Sequence, residues 1–375
     1  MLSHLVPIIR HAVLLLTCRF AGRVLPARLA RLAALSLLGV LAFLTAPCAV
    51  EAQWSHQPSG TTASLRGLSV VNARVAWASG ARGTVVRTED GGATWKVDSI
   101  PKGAAFDLRA IHARSARVAH AAATAGRIWR TMDGGRTWSL RYQARDSSVF
   151  LDAIEFWDDR HGIALGDPIR GRFFILLTSD GGESWHEAPA ASRPAAEPGE
   201  AAFAASGSSL VIGRGDSAFL GTGGGVARVH VTGDRGRSWR AYPTPMLQGG
   251  SSRGIFSVAV PSSGSLLLVG GDYAQEDTTR GNAAFSRDRR SYEPSPRESP
   301  PRGYRSGVAI FVRGDRPAVA IAVGPSGSDV SMDHGGRWAP FDSAGFHAVR
   351  ASRDGIFYAS GSAGRIATFN ARRLP

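Results

Sequence analysis

The segment Thr88-Glu-Asp90-Gly-Gly92-Ala-Thr94-Trp95 returns as Thr131-Met-Asp133-Gly-Gly135-Arg-Thr137-Trp138 and as Thr178-Ser-Asp180-Gly-Gly182-Glu-Ser184-Trp185. Two further copies, Thr232-Gly-Asp234-Arg-Gly236-Arg-Ser238-Trp239 and Ser331-Met-Asp333-His-Gly335-Gly-Arg337-Trp338, follow, with a worn copy at Ser286-Arg-Asp288 running to Tyr292. The aspartates stand 43, 47, 54, 54 and 45 positions apart. That period is the length of one four-stranded propeller blade, so the chain is expected to be all-β and built of repeated sheets. The composition of the motif has a physical reason. An Asp side chain accepts hydrogen bonds from the N–H groups of a tight turn, Gly supplies positive φ, and the Trp packs between neighbouring sheets. The box residues Asp90, Trp95, Asp133, Trp138, Asp180, Trp185, Asp234, Trp239, Asp288, Asp333 and Trp338 therefore read as structural. The turn around Asp288, which lacks its glycines and is one residue shorter, is expected to be looser.

Short β-rich runs surround each box; in the first blade they are Leu65–Val71, Val75–Ser79, Thr84–Thr88 and Trp95–Asp98, separated by Gly or Asn signals. Six blades carry boxes, intact or worn. A seventh, from Phe346 to Asn370, has three strands and needs a fourth. Gln53-Trp54-Ser55-His56 resembles the Trp-led outer strands, and its pairing with Gly364–Asn370 would close a seven-bladed ring of about 46 residues per blade. The stretch Arg280 to Gly303, rich in Pro, Arg and Ser, reads as a loop excursion between blades five and six.

Residues 1–52 read as a signal peptide. Five arginines precede the apolar run Leu32 to Ala46, which is shorter than the ~18 residues of a membrane span and ends in small residues. Cleavage near Ala52 would release residues 53–375 as an exported propeller, periplasmic or extracellular, with no membrane span; lipid anchoring at Cys48 is the alternative. Cys18 and Cys48, the two cysteines of the chain, both fall in the leader, which leaves the propeller without a thiol for a disulfide, a metal or catalysis. The formal charge of +14 comes almost wholly from arginine, since Lys96 and Lys102 are the two lysines. No basic block interleaved with aromatics accompanies it, which argues against nucleic acid and leaves acidic partners open. No dinucleotide fingerprint or ligand cluster points to a cofactor or metal.

Candidate binding residues come from aligning the first strands, which line the channel of a propeller. That alignment places Arg66, Arg109, Asp152, Glu200, Arg253, Arg305 and His347 at one register, a ring of four Arg, two acids and a His at one mouth. Two readings stay open. The charges neutralise one another, or the arginines, outnumbering the acids, capture a carboxylate or phosphate bidentately. The loops opening on the same face are longest in blades three to five and add Asp167, Asp272 and Tyr273.

With Gly-Ile-Ala-Leu-Gly-Asp-Pro (162–168), Gly-Gly-Asp-Tyr (270–273) and Gly-Tyr-Arg-Ser (303–306), the repeats resemble bacterial relatives of the photosystem II stability/assembly factor, within the BNR (sialidase-type Asp-box) propellers. The resemblance covers nearly all of residues 53–375. It implies a non-enzymatic lumenal or periplasmic seven-bladed propeller, a protein or peptide client such as a membrane-protein precursor, and an arginine-rich patch, here Arg66, Arg109, Arg253 and Arg305, that holds it. A small anionic ligand is a further expectation, and no catalytic residue is assigned. The alternative is a glycoside hydrolase of the sialidase-like group, for which arginines, Tyr273, Tyr304, Asp167 and Asp272 would supply parts. The Arg-Ile-Pro motif of sialidases is absent, and a count of seven blades departs from their six.

Overall fold

The computed structural model describes residues 53–261, 264–295, 298–314 and 316–374. The described residues fall in the second of two units in the chain. The expected signal peptide, with Cys48 and the cleavage position at Ala52, lies outside the described residues. The second unit is a seven-bladed β-propeller of seven antiparallel sheets, and no α-helix occurs among the described residues.

Burial grades outward along each blade and explains the sequence. In blades one and two the second strands, Ala76–Gly80 and Ala119–Ala123, are buried along their whole length, because neighbouring blades cover both faces. Ala, Gly, Ser, Trp77 and His120 fill them with little room to spare. The fourth strands, Lys96–Ser99 and Ser139–Gln143, form the rim and are mostly exposed and polar. Large side chains from successive blades meet between these layers. Trp77, Ile111 and Trp138 pack in one cluster between blades one and two, and Ile128, Leu151, Phe174 and Trp185 in another between blades two and three. Each fully buried side chain of this size contributes roughly 1.5–3 kcal/mol of hydrophobic stabilisation.

In the seventh blade Ser55–Gln57 pairs antiparallel with Ile366–Asn370, Ser55 opposite Thr368. Trp54 just before it is buried against Phe341 and Phe346, and its Nε1 donates to Ser328 Oγ at 3.0 Å. Both ends of the described propeller thus share one sheet.

The repeated turns are fully bonded. Asp133 Oδ1 accepts from Thr137 N at 2.9 Å and Oδ2 from Thr137 Oγ1 at 2.7 Å, and Asp90, Asp180 and Asp234 make the same pair of contacts. Arg235, Arg289 and His334 occupy the left-handed φ that glycine holds in the intact copies, at 60°, 66° and 63°. The turn at Asp288, expected to be looser, bonds as densely, accepting from Arg290 N, Ser291 N and Ser291 Oγ at 2.8 Å each.

Two features depart from the expected layout. Residues 280–303 carry the third and fourth strands of blade five, Ala283–Ser286 and Glu293–Pro294, in place of a free excursion, and Asn282 Nδ2 ties the segment by donating to Pro301 O and Gly303 O. Blade four begins late. Its first strand is Leu210–Ile212, while Glu200–Ala201 pairs with Gly223–Gly224, which continues onto Gly250–Ala259 of blade five. Residues 202–207 between them form a strap that runs into the channel. A Cβ on Gly207 would stand 3.2 Å from Ala110 Cβ of blade two, and Arg350 of blade seven donates to Gly207 O at 3.0 Å.

Candidate functional site

The channel-facing residues are positioned by one backbone device. In blades one, two and three the ladder between first and second strands slips after Leu65, Leu108 and Leu151, leaving Arg66, Arg109 and Asp152 as unpaired bulge residues. A bulge re-aims its side chain, here into the mouth. The same slip in blade five falls between Ile255 and Ser257, so the ring residue is Phe256 and not Arg253. In blades six and seven the equivalent backbone bonds, Ser306 N to Val323 O and His347 N to Ser360 O, place Ser306 and His347 in the ring. In blade four the bond from Gly221 N to Ser209 O makes the ring residue Ser208. The expected ring of Arg66, Arg109, Asp152, Glu200, Arg253, Arg305 and His347 is therefore corrected at three places.

The three displaced residues are bound elsewhere. Arg305 sits one position early and is fully buried, its Nε and Nη2 on Asp329 Oδ2 at 2.7 and 2.6 Å. Arg253 donates its Nε to Asp272 Oδ2 at 2.9 Å. Burial raises the Asp272 pKa, but bonds from Ser252 and Arg253 outweigh it and hold the carboxylate below its ordinary range. Glu200 accepts from Thr222 Oγ1 at 2.6 Å, Arg228 Nη2 at 2.6 Å and His230 Nε2 at 3.1 Å. Burial opposes its ionisation, and the bonds from His230, Arg228 and Thr222 nevertheless lower its pKa to about 2. These groups fix loops and are spent on one another.

Above the strap the mouth encloses a cavity of about 580 Å³. Its walls differ in chemistry. Arg66 and Arg109, from blades one and two, make the cationic side, with the His347 imidazole of blade seven beside them. Arg109 donates Nη2 to Asp107 Oδ2 at 3.2 Å and lies over the Phe150 ring at 5.5 Å. Arg66 has no ion pair or side-chain hydrogen bond among the described residues; burial and the charge of Arg109 lower its pKa. Burial, with Arg66 and Arg109 nearby, pushes the His347 imidazole down to about 4 and keeps it neutral at pH 7.

Blade three supplies two acids, Asp152 and Asp167, and the blade-five loop a third, Glu276. Asp152 is 1% exposed and its Oδ2 has no hydrogen-bond partner; burial first, and then the Asp167 carboxyl, raise its pKa well above the ordinary value. Asp167 is also raised by burial and accepts from Ala202 N of the strap at 3.2 Å. Opposite lies an aromatic wall that ring alignment by charge did not disclose. Phe203 of the strap stacks on Phe256 at 3.9 Å, and Tyr304 and the half-exposed Tyr273 meet Phe256 edge-on at 4.7 and 6.0 Å. Of the loop residues expected here, Asp167 and Tyr273 line the cavity and Asp272 does not. Below the mouth, Glu155 joins His112 of blade two at 2.8 Å and Arg350 of blade seven at 3.5 Å, so side chains from three blades meet across the channel beneath the strap.

No protein-family model matches the sequence, and no curated protein does. Solved structures match the fold. YCF48 bound to D1 peptide, a structure of a photosystem II assembly factor, superposes with TM-score 0.60 at 17% identity over 87% of this chain and 99% of its own. YCF48 from Cyanidioschyzon merolae gives 0.58 at 18% over 86% and 100%. The GH74 xyloglucanase from Xanthomonas campestris gives 0.57 at 16% over 86% of this chain and 54% of that one. The resemblance to the assembly-factor propellers, first seen in the repeats, extends to the three-dimensional fold.

Proposed function

We propose that this protein is an exported, non-enzymatic binding scaffold whose channel mouth holds an anionic peptide segment of a client protein. The observation that carries this is Arg66, a cavity-lining guanidinium with no direct ion pair or side-chain hydrogen bond among the described residues, beside Arg109 in a mouth backed by aromatic side chains. A guanidinium left unpaired in a partly desolvated recess binds carboxylates more strongly than one on an open surface. Aromatic rings add contact area at low entropic cost, as in many peptide-binding sites. That a propeller of the same fold binds a D1 peptide supports a peptide client, and a membrane-protein precursor is the client class it favours. The arginine patch of this reading is Arg66 with Arg109, since Arg253 and Arg305 are engaged with Asp272 and Asp329.

The test is fluorescence anisotropy with labelled acidic peptides. The double variant Arg66→Gln/Arg109→Gln is expected to weaken binding at least tenfold while circular dichroism and cooperative melting show that the propeller still folds. Equal binding by the double variant sinks the reading. A second reading, glycoside hydrolysis, draws on the two carboxyls Asp152 and Asp167, both with raised pKa, facing one cavity. Turnover of oligosaccharides that disappears in Asp152→Asn would replace the scaffold with a hydrolase.

A further inference from the structure

Arg109 and Asp152 occupy equivalent bulges on adjacent blades and feel each other's charge, yet they form no ion pair. Arg109 turns its Nη2 to Asp107, and its Nε, buried, has no partner. Asp152, 1% exposed, keeps Oδ2 unpartnered beside the cavity. Buried polar atoms are nearly always bonded, and leaving a carboxyl oxygen unbonded is costly, so the unpartnered Oδ2 of the cavity-lining Asp152 points to a donor that a ligand would bring. The groups around the gap specify the ligand on both sides. Arg66 and Arg109 require an anion; Asp152 and Asp167 require a donor, and two carboxyls together favour a cation. Phe203, Phe256 and Tyr273 face the same space and require an apolar group. The strap at 202–207 and the Glu155–Arg350 contact lie beneath, so the ligand enters by the mouth and does not thread through.

We propose that the cavity binds a zwitterion with an apolar side chain, a free amino acid of the phenylalanine or leucine type, with its carboxylate on Arg66 and Arg109, its ammonium on Asp152 and Asp167, and its side chain on Phe203 and Phe256. This rests on the reading that the mouth is a ligand site and deepens it: the amino acid and the acidic client segment use the same arginines, so the small ligand competes with the client. The cavity of about 580 Å³ holds such a molecule with water to spare.

Isothermal titration calorimetry on the chain with L-phenylalanine, N-acetyl-L-phenylalanine, L-phenylalaninamide and glycine tests this. The free amino acid is expected to bind, and each of the other three to bind at least tenfold more weakly, since each removes one of the three required groups. Asp152→Asn should narrow the gap between L-phenylalanine and its N-acetyl form, and Arg66→Gln the gap between L-phenylalanine and its amide; circular dichroism checks that both variants fold. If the blocked forms bind as well as the free amino acid, or L-phenylalanine does not bind, the inference falls. The acidic-peptide assay on the same samples separates the two failures: peptide binding without amino-acid binding removes the zwitterion and keeps the scaffold, and loss of both removes both.

Discussion

The propeller uses aspartate in two places with opposite results. At the rim, every repeat turn surrounds its Asp with donors: Asp234 accepts from Arg237 N, Ser238 N and Thr232 Oγ1 at 2.8 to 2.9 Å and from Ser238 Oγ at 2.6 Å. At Asp133, bonds from Thr137 lower the pKa to about 2. At the mouth, Asp152 has been taken out of water without equivalent donors, and its pKa moves the other way. The rim acids hold hairpins together in their ionised form, whereas burial and the Asp167 carboxyl make ionisation of the mouth acid costly until a cationic donor reaches it. The contrast separates residues that make the fold from residues the fold holds in readiness, and it identifies the mouth without reference to any relative.

The sharpest break of that comparison comes from the acid most deeply committed to bonding. Asp329, 1% exposed, accepts from Arg302 N and Nε at 3.0 and 2.9 Å and from Arg305 Nε at 2.7 Å. Asp329→Ala strands the Arg305 guanidinium in the interior, and urea unfolding is expected to show a loss of about 3–5 kcal/mol. Stability within 1 kcal/mol of the parent would mean that Arg305 finds water, and so belongs to the mouth after all. A smaller loss is expected at the rim. Asp234→Ala removes a capping-type acceptor from one turn and should cost about 1–2 kcal/mol, read in the same titration, while binding at the mouth is unchanged.

The seven blades were legible because the Asp–Trp repeat recurs at blade length, and the ring positions in blades one, two, three and seven because Leu or Phe precedes the bulge, as in Leu65-Arg66 and Phe346-His347. The misplacements in blades four to six arose in aligning first strands where Gly199, Ser252 and Tyr304 stand in place of the Leu or Phe that precedes the other ring positions. A better signal is the pair that follows the bulge, a small residue and then an aliphatic one: Gly67-Leu68, Ala110-Ile111, Ala153-Ile154, Ser209-Leu210, Ser257-Val258, Gly307-Val308 and Ala348-Val349. Small residues there let seven strands approach one axis, and the aliphatic side chain points back between blades. That frame finds Ser208, Phe256 and Ser306. The strap was not legible, because Ala201 to Ser209 is a run of Ala, Ser and Gly around a single Phe, the composition of a surface linker. What draws it inward is contact with distant residues, Ala110 and Arg350, that local pattern does not encode.

The smallest effect is also the most specific, because its sign is unusual. Asp152→Asn keeps the shape of the side chain and removes the charge. A carboxyl whose folded pKa lies above its unfolded value of 3.8 holds its proton more tightly when folded. Below pH 3.8 it is protonated in both states and costs nothing. As pH rises past 3.8 the unfolded chain releases the proton first, so the native state loses stability until the folded pKa is reached. The variant should therefore melt with the parent near pH 3.5 and above it at pH 7, the gap opening as pH rises. At the rim the order reverses: the folded pKa of Asp133 lies below its unfolded value, its contribution is complete above pH 4 and fades as pH falls toward 2, and Asp133→Asn should differ from the parent most at neutral pH, with the parent more stable. Differential scanning calorimetry of the two Asn variants across this range reads both signs. A neutral-pH loss of stability in Asp152→Asn would show that the mouth carboxyl is bonded in solution like those of the rim, and the site would then have to be sought on the aromatic wall alone.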